Sequence, residues 1–493
     1  MAFSMRIKNK NTIEIGILFL TFIYFQNILT VFLGIDSSMF VFINVNPLSI
    51  ISLCLFLTII ILTLFKKEFY FLFLPIILIA FPNVINDLFP SFYFSPLNEK
   101  NASTFSIFTH IDIYLLFGLA LFSKNQSNYR FNLGKNSSYL ILLLTSYYIL
   151  ILIFKSITLV DIYLLSIGNY VIRYALLMII FFSFIHINNT RKKKIIYGIG
   201  LSVFFLFFEA LLNTKIHGFD RLASGTLAIN VFGNLMSAIA LFYIFLGSYL
   251  KIHKVFKLVV ILLAISIVVL TQTKMALFTL LFIVNIIIII NLIRKKSIIH
   301  LTLIIILYLA LIPIIYNIIL SQEVYMNFFN SINSEGLETN LHTSSIFTRF
   351  LLFETSYNMI IENPFLGIGS GRWNFYKMDY GFPYNVLIDP HNDFLSYISM
   401  FGVLIGPVMI YLLILQPAFL LLKEKLYYNT NKYIWGIIPL SLFFAAFSNA
   451  NTYKHQVTAL IFLIFVITAQ IRKEDNENSN TRHKRNTKPL RRV

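Results

Sequence analysis

Several apolar runs in this sequence are long enough to cross the hydrocarbon core of a membrane. Residues 47–65, 195–213, 275–293 and 298–319 each supply the roughly 20 apolar residues that a spanning helix needs. Charged residues make up 12% of the chain, whereas a soluble domain contains about a quarter. Outer-membrane barrels alternate polar and apolar residues and lack such runs. The sequence therefore predicts an all-α polytopic membrane protein.

The apolar runs predict fourteen membrane spans, or twelve to thirteen if a short span is re-entrant. The predicted spans are residues 13–34, 47–65, 69–86, 108–123, 138–155, 170–188, 195–213, 227–249, 256–272, 275–293, 298–319, 391–421, 434–450 and 455–471. The segments on one side of the membrane hold 29 of the 39 Lys and Arg residues, with at least two in each. Because Lys and Arg collect on the cytoplasmic side, we expect both termini in the cytoplasm. No small-x-small cleavage site follows the first apolar stretch, which is predicted to be a retained span.

The net charge of +18 is accounted for by this topology and does not indicate a nucleic-acid partner. The basic tail at 472–493 is predicted to be a disordered arm near anionic lipid. Ten basic residues lie outside the cytoplasmic segments: Lys100, Lys155, Arg173, Lys215, Arg221, Lys274, Arg349, Arg372, Lys377 and Lys454. Charged groups at membrane depth are costly and often mark function. The alternative is that each side chain extends to the headgroup phosphates.

The predicted outer segment 321–390 is about 70 residues long, and connections of this length are often functional. Ser344 or Ser345 can cap a helix in it, and the pair Asn363-Pro364 ends that helix. Apolar residues recur at helical spacing between these points, at Ile346, Phe350, Phe353, Tyr357 and Ile360 or Ile361. We expect an amphipathic helix on the outer surface or over the mouth of a cavity, with Arg349 on its first turns.

A glycine-rich run, Gly367-Ile-Gly369-Ser-Gly371, follows this helix. A dinucleotide-binding loop would follow a strand, so the context excludes that function. The glycines instead indicate a tight backbone path or a close approach to a ligand. The aromatic residues after it fit either an interfacial belt or stacking on sugar rings; they are Trp373, Phe375, Tyr376, Tyr380 and Tyr384.

Asp389 and Pro390 are the residue types that begin helices, as N-cap and first helical residue. This placement puts His391, Asn392 and Asp393 in the first turn of the twelfth span. A histidine there meets the positive end of the helix dipole, which favours the neutral imidazole that a general base requires. A histidine at a helix start can also be purely structural. The outer segments show no metal-ligand pattern, and Cys54 is the single cysteine, so no metal or cofactor is predicted.

Several of these elements occur in a fixed order over roughly residues 215–410. They read RLASG at 221–225 followed by Asn230, Thr348-Arg349, NPFLGIGSG at 363–371, HNDFL at 391–395 and FGVLIG at 401–406. In order and spacing they resemble the elements of the O-antigen ligase and polymerase superfamily of bacterial membrane glycosyltransferases. Two positions depart from the family pattern: Ile229 stands where Pro is usual, and Thr273-Lys274 stands where Ser-Arg is usual.

The resemblance implies a GT-C-like architecture and a donor glycan carried on undecaprenyl diphosphate in the outer leaflet of the inner membrane. It implies that Arg221 and Arg349, with Lys274, bind the donor diphosphate, and that His391 acts on the acceptor hydroxyl. Guanidinium groups are permanently charged and bidentate, which suits a diphosphate leaving group in a metal-independent, inverting reaction. Further candidates for orienting the substrate or acting as a second base are Asn392, Asp393, Glu354, Asn230, Gly367, Gly369, Gly371 and Trp373.

The predicted organisation has N-terminal helices at 1–200, an O-antigen ligase or polymerase-like core at 201–421 and C-terminal helices at 422–471. The favoured function is polymerisation of lipid-linked repeat units into O-antigen or a related surface polysaccharide, with a chain-length regulator as a possible partner. The first alternative is an O-antigen ligase that transfers the glycan to lipid A-core. A flippase of lipid-linked sugars is the third hypothesis, but transporters place their charges near the bilayer midplane, whereas these lie at the predicted outer ends.

Overall fold

The computed structural model describes residues 2–33, 40–41, 47–81, 91–94, 103–105, 109–123, 135–155, 169–218, 221–224, 227–247, 249–294, 302, 345–370, 372–382, 390–423, 432–446 and 455–486. The first half contains helices α1 (Ala2–Leu33), α2 (Pro47–Phe65), α3 (Tyr70–Ile79), α4 (His110–Ser123), α5 (Lys135–Lys155), α6 (Tyr170–Phe184) and α7 (Asn189–His217). The second half contains α8 (Ile229–Phe245), α9 (Lys254–Leu270), α10 (Lys274–Arg294), α11 (Ser345–Glu362), α12 (Trp373–Tyr376), α13 (Asp393–Ile410), α14 (Gln416–Lys423), α15 (Ile437–Ala445) and α16 (His455–Asn486). A π-helical turn, Tyr411–Leu415, joins α13 to α14.

Thirteen of the fourteen predicted spans overlap a described helix, and of the predicted span 298–319 the structure describes residue 302 alone. Within the described part of the chain, four helices are long and apolar enough to cross a membrane: Asn136–Lys155, Asn189–Ile216, Asp393–Lys423 and Gln456–Glu477. Further apolar helices are shorter. The structure is that of a helical, multi-pass membrane protein, and the number of spans stays a prediction.

Three short strands form a small antiparallel sheet that the apolar pattern did not predict. Strands β1 (Phe40–Val41), β2 (Ser91–Phe94) and β3 (Ser103–Phe105) lie in the order β1-β2-β3. Phe92 pairs with Phe40 on one side and with Phe105 on the other. All three strands lie in connections predicted to be outside the membrane. Strand pairing there provides hydrogen-bond partners for backbone groups that are not part of a helix.

The basic tail departs from its prediction. Helix α16 continues from the apolar stretch to Asn486 without a break, so the expected disordered arm is helical over residues 472–486. Residues 487–493 lie outside the described part of the chain. Lys432 and Tyr433 both donate to the carboxylate of Asp475, the latter at 2.7 Å. These contacts tie the start of the tail to the preceding connection.

Helices α6 and α8 lie at the centre of the bundle. Every residue from Tyr170 to Ser183 in α6 and from Val231 to Tyr243 in α8 is buried, as expected of a helix that is apolar on all sides and enclosed by others. Helix α6 packs against α1, α4 and α16, whereas α8 packs against α9, α10 and α15. The helices around them leave exposed apolar side chains, such as Leu18, Phe208 and Leu262, that suit a lipid environment.

Arg173, one of the ten basic residues outside the cytoplasmic segments, does not reach the headgroups. Its Nε lies 2.9 Å from Oδ1 of Asp112, and both side chains are at most 2% exposed. Tyr24 donates to the same carboxylate at 3.0 Å, and Thr109 donates to it through its backbone N–H at 2.7 Å and its hydroxyl at 2.8 Å. This buried ion pair, whose carboxylate accepts hydrogen bonds from Tyr24 and Thr109, joins α4 to α6.

Candidate active site

The site is built around a break in helix α13 at Gly402, where φ is 75° and ψ is 173°. The glycine-rich segment docks at this break. The N–H groups of Ile368 and Gly369 donate to the carbonyls of Ser399 and Met400 at 2.8 and 3.0 Å, and Val403 N–H donates to Pro364 O at 2.8 Å. Backbone groups freed by the break are thus satisfied by the outer segment, which matters because an unsatisfied group at membrane depth costs several kcal/mol.

The close approach expected of the glycines is therefore to the protein's own backbone. A Cβ at Gly402 would lie 2.1 Å from the carbonyl oxygen of Phe365, and one at Gly367 would lie 2.5 Å from that of Ser399. Gly367 and Gly369 also have positive φ, 65° and 97°, a conformation that glycine adopts without strain. Gly371 lies outside the described residues.

Helix α5 holds the same segment from the other side. The hydroxyl of Tyr147 lies 2.6 Å from Met400 O and 3.3 Å from Leu366 O. At the end of α5, Lys155 donates through Nζ to Asn363, and its carbonyl accepts from Arg372 Nη2 at 3.3 Å. The sequence did not indicate Tyr147 as a site residue. A tyrosine within an apolar span gives no information about which distant residue its hydroxyl contacts.

Helix α11 begins at Ser345 and ends at Glu362, as the capping serine and the Asn363-Pro364 stop predicted. Beneath it lies a small apolar core of Leu352, Met359, Ile368, Trp373 and Phe382. Trp373 is fully buried and donates through Nε1 to Ser356 Oγ at 3.2 Å. The expectation that this ring belongs to an interfacial belt or stacks on a sugar is wrong, since its faces are covered by protein. Tyr376 and Tyr380 lie at the edge of the same core.

The four basic side chains described between 345 and 391 fall into two classes. Arg372 and Lys377 are buried, at 3% and 0% exposure, whereas Arg349 and His391 remain partly exposed. Burial of Arg372 and Lys377 excludes the idea that they extend to lipid headgroups. Glu354, a candidate second base, is exposed on α11.

His391 lies before the helix, which corrects the predicted start. The N-cap of α13 is Asn392, whose Oδ1 accepts from Phe394 N–H at 2.9 Å and Leu395 N–H at 3.1 Å. The prediction that His391, Asn392 and Asp393 share the first helical turn is wrong, because Asn392 takes the capping role assigned to Asp389. His391 adopts φ of 49°, which turns the chain into the cap. Asp389 itself lies outside the described residues.

The capping geometry also limits the roles of Asn392 and Asp393. Because the Asn392 side-chain oxygen already accepts two backbone N–H groups, it serves the helix start. Asp393 is buried at 1% exposure, and its N–H donates to Ala446 O at 3.2 Å. This bond fixes the start of α13 against the end of α15.

A second group of candidates lies where α7 meets α8. Residues 221–224 are fastened to α7: Asn213 Nδ2 donates to Ala223 O at 2.9 Å, and Ala223 N–H donates to Thr214 Oγ1 at 2.9 Å. Ser224 Oγ donates to Glu209 Oε2 at 2.8 Å. These bonds hold the segment while the Arg221 side chain stays exposed.

Glu209 is a site residue that the sequence analysis missed. It is the single acidic residue of the predicted span 195–213, and an acidic residue within a span is a signal of function.

The turn before α10, residues 271–273, packs against this second group. Leu222 N–H donates to Leu270 O at 3.1 Å, and Thr273 Oγ1 lies 3.5 Å from Ile229 O. A Cβ at Gly233 would lie 2.6 Å from Thr273 Oγ1, so α8 and this turn are in close contact. The structure therefore brings Arg221, Asn230 and Lys274 to one end of the bundle, with Lys274 exposed and Asn230 half-buried.

Helix α15 links the two groups. It packs against α8 and α10 on one side, and at its end Phe443 contacts Phe394 of α13, with ring centroids 5.1 Å apart. Arg349 and Glu354 are carried by α11, which packs against α13. Among the described residues, no group of three or more His, Cys, Asp or Glu side chains is placed to hold a metal ion.

Comparison with known families identifies the part of the chain that contains the broken helix. Residues 258–413 match the family model described as O-antigen ligase. These residues form an O-antigen ligase domain. The domain includes Lys274, Arg349, the docked glycine-rich segment, His391 and the break at Gly402, whereas Arg221 and Asn230 precede it. No curated protein matches the chain.

The match confirms the resemblance to the O-antigen ligase and polymerase superfamily. It supports a membrane enzyme of the O-antigen ligase or polymerase type. The family implies a lipid-linked glycan as substrate. The matched residues fall within the predicted core 201–421.

Proposed function

We propose that the chain is a polymerase that joins undecaprenyl-diphosphate-linked repeat units into O-antigen or a related surface polysaccharide. The proposal rests on which side chains of the O-antigen ligase domain are exposed and which are buried. Arg349 and His391 are accessible, while the nearby Arg372, Lys377 and Trp373 are buried. The accessible pair has the chemistry that transfer from a diphosphate requires.

In the proposed reaction, a hydroxyl oxygen of the incoming repeat unit attacks the anomeric carbon of the growing glycan. The bond from that carbon to the lipid diphosphate breaks, and the diphosphate leaves with the electron pair. The hydroxyl proton passes to the imidazole of His391, acting as general base. Attack opposite the leaving group inverts the anomeric centre.

Arg221 and Arg349, with Lys274, would stabilise the charge that develops on the leaving diphosphate. Guanidinium groups form bidentate hydrogen bonds to phosphate oxygens, and positively charged groups held in place before the reaction lower the barrier where charge develops. This arrangement requires no metal ion. The carboxylate of Glu209 enters only indirectly, by holding Ser224 and with it the Arg221 segment.

The alternative function is an O-antigen ligase, which the matching family model supports equally. A ligase uses the same donor and the same leaving group, but its acceptor is lipid A-core. Deletion of the gene separates the two functions. Loss of a polymerase leaves single repeat units on the lipid, whereas loss of a ligase leaves long polymer on undecaprenyl diphosphate.

The proposal also sets the orientation of the protein. Both termini are placed in the cytoplasm and the active site on the outer face of the inner membrane, in agreement with the distribution of Lys and Arg. A chain-length regulator is a proposed partner. Purified protein that forms polymer from lipid-linked repeats in detergent, with no membrane to cross, would support an enzyme over a flippase.

A further inference from the structure

Tyr147 contacts two parts of the second half of the chain at the site. This residue lies on α5, outside the O-antigen ligase domain, and is 1% exposed. Its ring packs against Phe401 with centroids 5.0 Å apart, and its hydroxyl reaches Met400 O at 2.6 Å and Leu366 O at 3.3 Å. One side chain thus contacts both the broken helix and the docked segment.

The carbonyl of Met400 needs this hydroxyl because of the break. In an unbroken helix, this oxygen would accept from the N–H four residues later, but Gly402 turns the chain away. The oxygen instead accepts from Gly369 N–H at 3.0 Å and from Tyr147, which occupies its two lone pairs. In an apolar surrounding, loss of one partner is costly because water cannot replace it.

We propose that Tyr147 is a positioning residue for glycan transfer, and this inference rests on the proposed function. Its hydroxyl holds segment 364–369, which continues from the helix of Arg349, against the helix that begins beside His391. Removing it loosens the geometry between the group that binds diphosphate and the group that takes the proton. Misplacement by about 1 Å is enough to lower turnover about 100-fold in enzymes that depend on orientation.

The chain offers a matched control one residue away. Tyr148 is equally buried, but its hydroxyl donates to Gln26 of α1 at 3.1 Å, within the N-terminal helices. Substitution of either tyrosine by Phe removes one buried hydroxyl and keeps the ring. A general loss of stability is therefore expected for both Tyr147→Phe and Tyr148→Phe. Release of segment 364–369 is expected for Tyr147→Phe alone.

The test measures turnover and backbone protection on the same purified full-length proteins in lipid nanodiscs. With lipid-linked repeat units as substrate, Tyr147→Phe is expected to lower kcat at least about tenfold with KM within about twofold of wild type. Hydrogen exchange of peptides covering 364–370 is expected to be at least about tenfold faster. Tyr148→Phe should leave both quantities within about twofold of wild type.

Exchange at 364–370 that is unchanged in Tyr147→Phe would overturn the inference, and so would faster exchange with unchanged kcat. Equal effects of the two substitutions would also overturn it. If the wild-type protein does not consume lipid-linked repeats, the proposed function is wrong. The exchange comparison then still decides whether Tyr147 holds the segment, because it requires no substrate.

Discussion

Gly402→Ala tests the docking of the glycine-rich segment at the broken helix. The backbone at Gly402 has φ of 75° and ψ of 173°, a region that is essentially restricted to glycine and costs other residues about 1–3 kcal/mol. The new Cβ would lie 2.1 Å from Phe365 O and 2.4 Å from Phe365 C. Both contacts are to backbone, so neither is relieved by rotation of a side chain.

The size of the effect follows from what must move. To reach an ordinary contact, Phe365 has to shift by about 1 Å or more, which stretches the bond from Val403 N–H to Pro364 O, now 2.8 Å. An unmade buried hydrogen bond costs about 1–3 kcal/mol. Together with the backbone strain, the docked state loses about 2–6 kcal/mol, enough to displace the segment in much of the population.

A matched control is available at Gly381. This glycine also has positive φ, 96°, but a Cβ there meets nothing within 4 Å. Gly381→Ala therefore carries backbone strain without a clash. We expect Gly402→Ala to abolish detectable polymer in glycan ladders, and Gly381→Ala to retain it, at equal membrane levels of the two proteins. A wild-type ladder from Gly402→Ala, with segment 364–369 still protected from hydrogen exchange, would show that docking of the segment does not require glycine at position 402.

Three further substitutions test diphosphate binding by Arg221, the support of its segment by Glu209 and the buried ion pair of Asp112 and Arg173. Arg221→Lys should lower turnover at least about tenfold at an unchanged membrane level, because lysine lacks the bidentate fork; full activity would remove diphosphate binding from Arg221. Ser224→Ala breaks the bond to Glu209 and should raise KM for the lipid-linked donor severalfold by loosening the Arg221 segment, and an unchanged KM would contradict that. Asp112→Ala leaves Arg173 as a buried charge without its ion-pair partner, which costs about 3–5 kcal/mol; thermal unfolding measured in detergent should show a clear loss of stability, and a variant as stable as wild type would show that the pair contributes little.

The helices were largely predictable because their lengths follow from local physics. The prediction for residues 47–65 agrees with α2, Pro47–Phe65, since an apolar run bounded by Pro and Lys has little choice of length. The end of α11 at Glu362 follows from the Asn363-Pro364 pair in the same way. These features depend on residues close together in the sequence.

The arrangement of the site was less predictable because its contacts join distant parts of the chain. Nothing near Gly402 indicates that its neighbour is Phe365, and nothing near Tyr147 indicates Met400. The start of α13 was misplaced because Asp389 and Asn392 are both good N-cap residues. The hydrogen bond from Asp393 N–H to Ala446 O at the end of α15 is a distant contact that fixes where the helix begins, and the local sequence does not show it. Trp373 was assigned to a surface because sequence alone does not show the core beneath α11.

Glycan transfer by His391 and Arg349 is tested by assaying purified protein with undecaprenyl-diphosphate-linked repeat units in detergent, comparing wild type with His391→Ala and Arg349→Ala. Wild type is expected to form polymer and to release undecaprenyl diphosphate without added metal. Both variants are expected to form none, although they fold and reach the membrane at normal levels. Wild-type product ladders from His391→Ala would contradict the assignment of His391 as the base, and hence the proposed mechanism.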